Sequence, residues 1–345
     1  MLALMLAVVA PAGAATSTAS LRAAGKDAGG IGIRLVDAPV VARDDPRARV
    51  YIVDHLNPGT TIQRRIEVSN TTGSSQALVL YAAAASITKG SFLGAAAHTP
   101  NDLSTWTRVS PGNPDVPAGG KVTAMVTIAV PTDAAPGEQY GVIWAEARSA
   151  PKPGGGVVQV SRVGIRLYVS VGPGGAPAAN FSIDSLTAER SSTGQPMVVA
   201  TVHNTGGRAL DMNGTLTLSG GPGGLSAGPF PASLGVTLAI GDTEPVSIAL
   251  DKQLPAGPWD AQITLHSGLV ERTTKATITF PKTGVAAAVA TNSGRPTWRY
   301  LVDAGIVVLL LALTILFLVL RGRRRGREPS NPAMPTRARH AAQRP

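Results

Sequence analysis

Val122-Thr123-Ala124-Met125-Val126-Thr127-Ile128-Ala129-Val130 sets Val, Ala, Val, Ile and Val at every second position, with Thr, Met and Ala between them. A period of two sends one set of side chains to a buried face and the other to an open one, which is the pattern of a half-buried strand and not of a helix. Outward from this stretch the pattern recurs. Val163, Ile165, Leu167, Val169 and Val171 alternate with Gly, Arg, Tyr and Ser. Val246, Ile248 and Leu250, then Trp259, Ala261, Ile263 and Leu265, do the same. Pro, Gly, Asn and Asp clusters bound each run, and Asn57-Pro58-Gly59 and Pro136-Gly137 supply the fixed and positive φ values of tight turns. Between about residues 31 and 281 no amphipathic helix of convincing length interrupts the strands. The predicted class is all-β, as two tandem immunoglobulin-like sandwiches followed by one C-terminal transmembrane helix.

The halves of this region resemble one another. Ile66-Glu67-Val68-Ser69-Asn70-Thr71-Thr72-Gly73 matches Ala200-Thr201-Val202-His203-Asn204-Thr205-Gly206-Gly207, and Val116-Pro117-Ala118-Gly119 matches Leu238-Ala239-Ile240-Gly241. Pro136-Gly137 before Trp144 is echoed by Pro255-Ala256-Gly257 before Trp259. An internal duplication is predicted, with a first domain over 31–171, a junction at Gly172-Pro173-Gly174-Gly175-Ala176-Pro177, and a second domain over 178–281. The first half carries extra residues within Ala85–Pro114.

Composition narrows the chemistry. The 345 residues include no Cys, which excludes disulfide scaffolds, thiol catalysis and Cys-ligated metals. Only four Trp, five Tyr and five Phe are present, too few for an extended base-stacking platform. The net charge of +10 resides mostly in the tail: Arg321, Arg323, Arg324, Arg325, Arg327, Arg337, Arg339 and Arg344 face a single acid, Glu328. The body is close to neutral, so no nucleic-acid partner is expected.

Two apolar segments predict the topology. Residues 1–15 combine an apolar run with Ala12-Gly13-Ala14, the small-x-small pattern of a signal peptide. Residues 301–320 are long enough to cross a bilayer and are followed at once by arginines, which stay cytoplasmic. The expected location is the cell membrane, single-pass, with the N-terminal body extracytoplasmic, residues 282–300 a stalk and residues 321–345 a basic cytoplasmic tail.

Motifs that suggest catalysis fail on context. Gly224-Leu225-Ser226-Ala227-Gly228 has the form of a nucleophile elbow, but lies in a Gly/Pro-rich stretch with no helix after it. Ser86-Ile87-Thr88-Lys89 would have to open a helix to bring Ser and Lys together. His55, His98, His203 and His266 have no metal-ligand spacing. No catalytic residue, cofactor or metal is therefore assigned, and the chain is read as a non-enzyme. Phe280-Pro281-Lys282-Thr283-Gly284 is similar to a sortase signal but stands too far from residue 301, and Phe280 completes the alternation of a final strand.

Tyr51-Ile52-Val53-Asp54, Asn57-Pro58-Gly59, Ile66–Asn70 and Pro136-Gly137-Glu138-Gln139-Tyr140-Gly141-Val142-Ile143 resemble motifs of the WxL-interacting surface proteins of Gram-positive bacteria, although Trp144 stands where that family tends to have Gly. The resemblance implies a first domain that binds peptidoglycan and a second that binds a host or partner protein. It therefore implies a membrane-anchored, non-catalytic scaffold of the cell envelope, with cell-wall polymer (peptidoglycan or an attached anionic polymer) and another surface protein as partners. An accessory subunit of a wall-acting enzyme and a sortase-processed adhesin are the alternatives. Arg43-Asp44-Asp45-Pro46-Arg47-Ala48-Arg49 packs five charges into seven residues, so Arg43, Arg47, Arg49 and the adjacent Tyr51 are the expected ligand-binding residues: guanidinium forks suit carboxylate and phosphate.

Overall fold

The computed structural model describes residues 29–39, 42–149, 157–232 and 235–291, all within one compact unit. The expected signal peptide (1–15), transmembrane helix (301–320) and tail (321–345) lie outside these residues. Among the described residues no helix is long and apolar enough to cross a membrane.

The chain is all-β. Its first half runs β1 (Ile31–Leu35), β2 (Ile52–Leu56), β3 (Thr61–Asn70), β4 (Gln76–Thr88), β5 (Ser91–Gly94), α1 (Asp102–Thr105), β6 (Thr107–Ser110), β7 (Asp115–Val116), β8 (Lys121–Ala129), β9 (Gly137–Arg148) and β10 (Val160–Val171). One sheet has the order β1-β3-β8-β6. The other is β2-β10-β9-β4-β5, with β7 also paired to β4. The alternation of β8 puts Ala124, Val126 and Ile128 into the core with Ile66, Leu78, Ile143 and Leu167 from the neighbouring strands.

The second half runs β11 (Phe181–Arg190), β12 (Pro196–Asn204), β13 (Leu210–Asp211), β14 (Asn213–Ser219), β15 (Ala227–Pro231), β16 (Thr237–Leu238), β17 (Thr243–Ala249), β18 (Gly257–Ser267), β19 (Val270–Phe280), β20 (Gly284–Val285) and β21 (Val289–Ala290). Its sheets are β17-β12-β11 extended by β20 and β21, β15-β14-β18-β19, and the short pair β13-β16. A separate core gathers Phe181, Leu186, Val202, Trp259, Ile263 and Phe280. Each half is thus a sandwich of facing sheets, held by burial of the inward row of each strand.

The matched asparagines do the same work in both halves. Asn70 Nδ2 donates to the carbonyls of Ser74, Val116 and Pro117, and its Oδ1 accepts the Thr72 N–H. Asn204 Nδ2 donates to those of Arg208, Leu238 and Ala239, and its Oδ1 accepts the Gly206 N–H. Gly137 and Gly257 open β9 and β18 with φ of 139° and 131°. The tryptophans are not equivalent. Trp259 follows Gly257 by two positions and lies in the core, whereas Trp144 follows Gly137 by seven and lies on the outer face of β9.

Candidate functional site: the open edge of β10

The geometry of β10 is set by how the chain arrives at it. β1 pairs with β3 in one sheet, and the chain then crosses to the other sheet, where β2 runs parallel to β10. Before β2 the backbone coils into a 3₁₀ turn at Arg47–Arg49, fixed by Asp45 Oδ1 accepting the Arg47 N–H at 2.9 Å and by Arg47 O accepting the Tyr51 N–H at 2.8 Å. A turn here prevents β2 from starting before Ile52. Its register on β10 therefore covers only Leu167–Val171.

Over Val160–Arg166, β10 pairs with β9 on one side and with no described strand on the other. The Ser149 N–H donates to Gln159 O, which places odd-numbered residues in the hydrogen-bonded row facing β9. Even-numbered residues face the opposite way, as Gly172 N–H shows by donating to Leu56 O of β2. The N–H and C=O groups of Val160, Arg162 and Gly164 thus line an open edge. Beside it Val157, Val158 and Val160 are 92%, 43% and 47% exposed. Natural sheet edges are usually protected by lysine, proline or a covering loop, and this one carries valines.

The two faces of the edge differ. Inward, Val163 packs at the rim of the core with the half-buried Ile31 and Ile33 of β1. Outward, Arg162 lies with its guanidinium carbon 4.9 Å from the centre of the Trp144 ring, its Nη1 3.5 Å from the Tyr81 hydroxyl. The indole lies flat across Gly164, where an added Cβ would come within 2.7 Å of the ring. Tyr81 stacks on His98 at 3.6 Å and donates to Glu146 Oε2 at 2.7 Å, and Arg148 Nε donates to Glu146 Oε1 at 2.7 Å. The Tyr81 hydrogen bond, followed by Arg148, holds the Glu146 carboxyl below its ordinary range. At the end of the edge an open cleft of about 560 Å³ is bordered by Gly29, Gly30, Thr72, Ser74, Gln159 and Ser161.

The other end of β10 is pinned to the second sandwich. Asp211 Oδ1 accepts Arg166 Nη1 at 2.9 Å, the Tyr168 hydroxyl at 2.9 Å and the Thr237 hydroxyl at 2.8 Å, and its Oδ2 accepts Arg47 Nε at 2.8 Å. Arg47 Nη1 also donates to Ala209 O, and the Asp211 N–H donates to Ser267 Oγ. Glu138 Oε2 accepts the Ala209 N–H and the Tyr140 hydroxyl. Burial pushes its carboxyl above the ordinary range despite those bonds.

The four expected ligand residues do not form one surface cluster. Arg47 is buried, 6% exposed, and is spent on Asp211. Arg43 and Arg49 are exposed, joined by the Arg49 Nε donating to Arg43 O. Tyr51 is half-buried against Tyr168, with Arg166 over its ring. Ser86 sits within β4, and Ser226 lies between the short Pro222–Gly224 turn and β15. The open edge was missed: its valines follow a Gly/Pro-rich stretch, and alternation alone does not tell which strand lacks a neighbour.

No family model matches this chain, and no curated protein matches it. Among solved structures it is similar to the class 5 fimbriae chaperone CfaA (13% identity, 72% of this chain and 99% of that chain, TM-score 0.33). It is also similar to the CupB2 chaperone of Pseudomonas aeruginosa (12%, 66% and 97%, TM-score 0.35). A third is the CsuC–CsuE chaperone-tip adhesion subunit complex of Acinetobacter baumannii (14%, 66% and 96%, TM-score 0.33). These findings correct the expected membership of the WxL-interacting family. Peptidoglycan or wall polymer as ligand, the membrane-anchored Gram-positive scaffold, its two alternatives and the cell-membrane location are corrected with it: the similar structures are chaperones of fimbriae and pili. The burial of Arg47 removes the central residue of the charged patch on which wall binding was to rest.

Proposed function

We propose that this chain is a non-catalytic binding protein of two Ig-like sandwiches, over 31–171 and 178–281, that captures an extended segment of a partner polypeptide along the open edge of β10. The observation that carries this reading is the row of backbone groups at Val160, Arg162 and Gly164, without a described neighbour strand and bordered by exposed valines. Strand addition uses such a row: main-chain hydrogen bonds supply affinity, and alternate side chains supply specificity. Pinning the far half of β10 at Asp211 favours this role, because an edge already held straight loses little entropy when a partner docks.

The test is hydrogen exchange on the full chain, with and without a synthetic valine-rich extended peptide. Capture should slow exchange at the amides of Val160, Arg162 and Gly164. The amides of Ser161 and Val163, already facing β9, should change little. Peptide binding without protection at the even-numbered amides would overturn the reading.

A further inference from the structure

Resting on that reading, we infer that the captured segment is two-faced: apolar on the row turned toward the core and acidic on the row turned outward. In a sheet, residues at the same register on adjacent strands share a face, with Cβ atoms about 5 Å apart whether the strands run parallel or antiparallel. A strand added to β10 therefore places every second side chain opposite Ser161 and Val163, at the rim where Ile31 and Ile33 are half-buried. Apolar groups there continue the core. The intervening side chains fall opposite Val160, Arg162 and Gly164, on the face that carries Arg162 and Arg148.

The charges on that outer face are unequal. Glu146 stands opposite Arg162 in the ladder and feels its charge, but its two oxygens are hydrogen-bonded by Tyr81 and Arg148 and make no close ion pair with Arg162. Arg162 is exposed, has no carboxylate partner among the described residues, and is held in place over Trp144 and against Tyr81. Residue 164, next along the row, is a glycine and puts no side chain of its own on that face, where the Trp144 ring lies instead. An ordered cation at the lip of an open strand edge selects a carboxylate on the incoming strand. Selection of the partner's outer row by charge is a separate property from capture of its backbone.

The test uses the full chain and three fluorescein-labelled peptides of about eight residues, the length of a strand, alternating Val with Asp, Ser or Lys. Anisotropy titrations should rank them Asp, Ser, Lys, with about a tenfold spread between Asp and Lys at low salt that shrinks as salt screens the exposed charges. Arg162→Glu should invert the Asp and Lys peptides, and Arg162→Gln should flatten the ranking. Val160→Pro, which removes a donor from the open edge and none from the β9 ladder, should weaken all three. If the three bind alike and Val160→Pro still weakens them, the acidic preference is overturned and edge capture stands. If Val160→Pro leaves binding unchanged, or no peptide binds, edge capture falls and the inference with it.

Discussion

Asn70 and Asn204 each stitch a strand end to two neighbouring segments by donating one amide to three carbonyls. Replacing either by Ala removes several buried hydrogen bonds at once, at about 0.5–1.5 kcal/mol each and about 1–3 kcal/mol per site, while carbonyls such as that of Pro117 keep a second donor. Urea unfolding of Asn70→Ala and Asn204→Ala should show losses of that size. Both asparagines were legible as a pair in the sequence, because the same backbone problem recurs at the same place in each sandwich. Arg47 was not. Its carboxylate lies 164 positions away, and five charges in a short segment read as an exposed binding cluster when no partner is adjacent. Two surface carboxylates predict the acid limb of stability. The hydrogen bonds from Arg65 hold Asp37 down to about 2, and those from Arg34 and then Lys121 hold Glu67 down to about 2. A carboxyl depressed by folding stabilises the native state above its unfolded pKa, and that contribution is lost as pH falls from the ordinary carboxylate range through about 2. Both are half-buried at the surface and pair with exposed arginines, so the effect is small and salt-sensitive. The double variant Asp37→Asn, Glu67→Gln should flatten the pH dependence of urea midpoints between about pH 4.5 and pH 2.

Strand β10 is one element with two unlike halves. The alternation Val163, Ile165, Leu167, Val169, Val171 identified it as a strand, since a period of two fixes which side chains face the core. Where its neighbour stops depends on the 3₁₀ turn before β2, a feature of register that hydrophobicity does not encode. On its open half, Gly164 and Trp144 are fitted to each other across the β9–β10 ladder. Gly164→Ala would set a Cβ 2.7 Å from the indole, and the ring must move. The expected outcome is a shift in tryptophan emission and a stability loss of about 1–3 kcal/mol, the range for overpacking. An unchanged emission spectrum would mean that the ring does not lie across the glycine.

For the whole molecule, Asp211 is the main charged point at which the first sandwich grips the second, through Arg47, Arg166 and Tyr168, beside the bonds of Glu138 and Arg47 to Ala209. Removing a carboxylate from a buried pair leaves the opposing charge uncompensated, at about 3–5 kcal/mol. Asp211→Ala should lower the thermal midpoint and separate unfolding into two transitions in calorimetry, because each sandwich keeps its own core. Asp211→Asn, which keeps the side chain's shape and one of its two acceptor oxygens, should do less. A single transition at the wild-type midpoint would show that this carboxylate does not couple the sandwiches. The parallel pairing of β2 with β10 bears on how the molecule carries tension. Pull the chain upstream of Ile52 and downstream of Val171, and these two strands are drawn lengthwise past each other. The bonds between 52–56 and 167–171 then resist together in shear rather than opening one by one like a zip. A partner strand gripping the other half of β10 would be hauling on an anchored rail, and traction on it would pass along the same strand to the carboxylate at its far end.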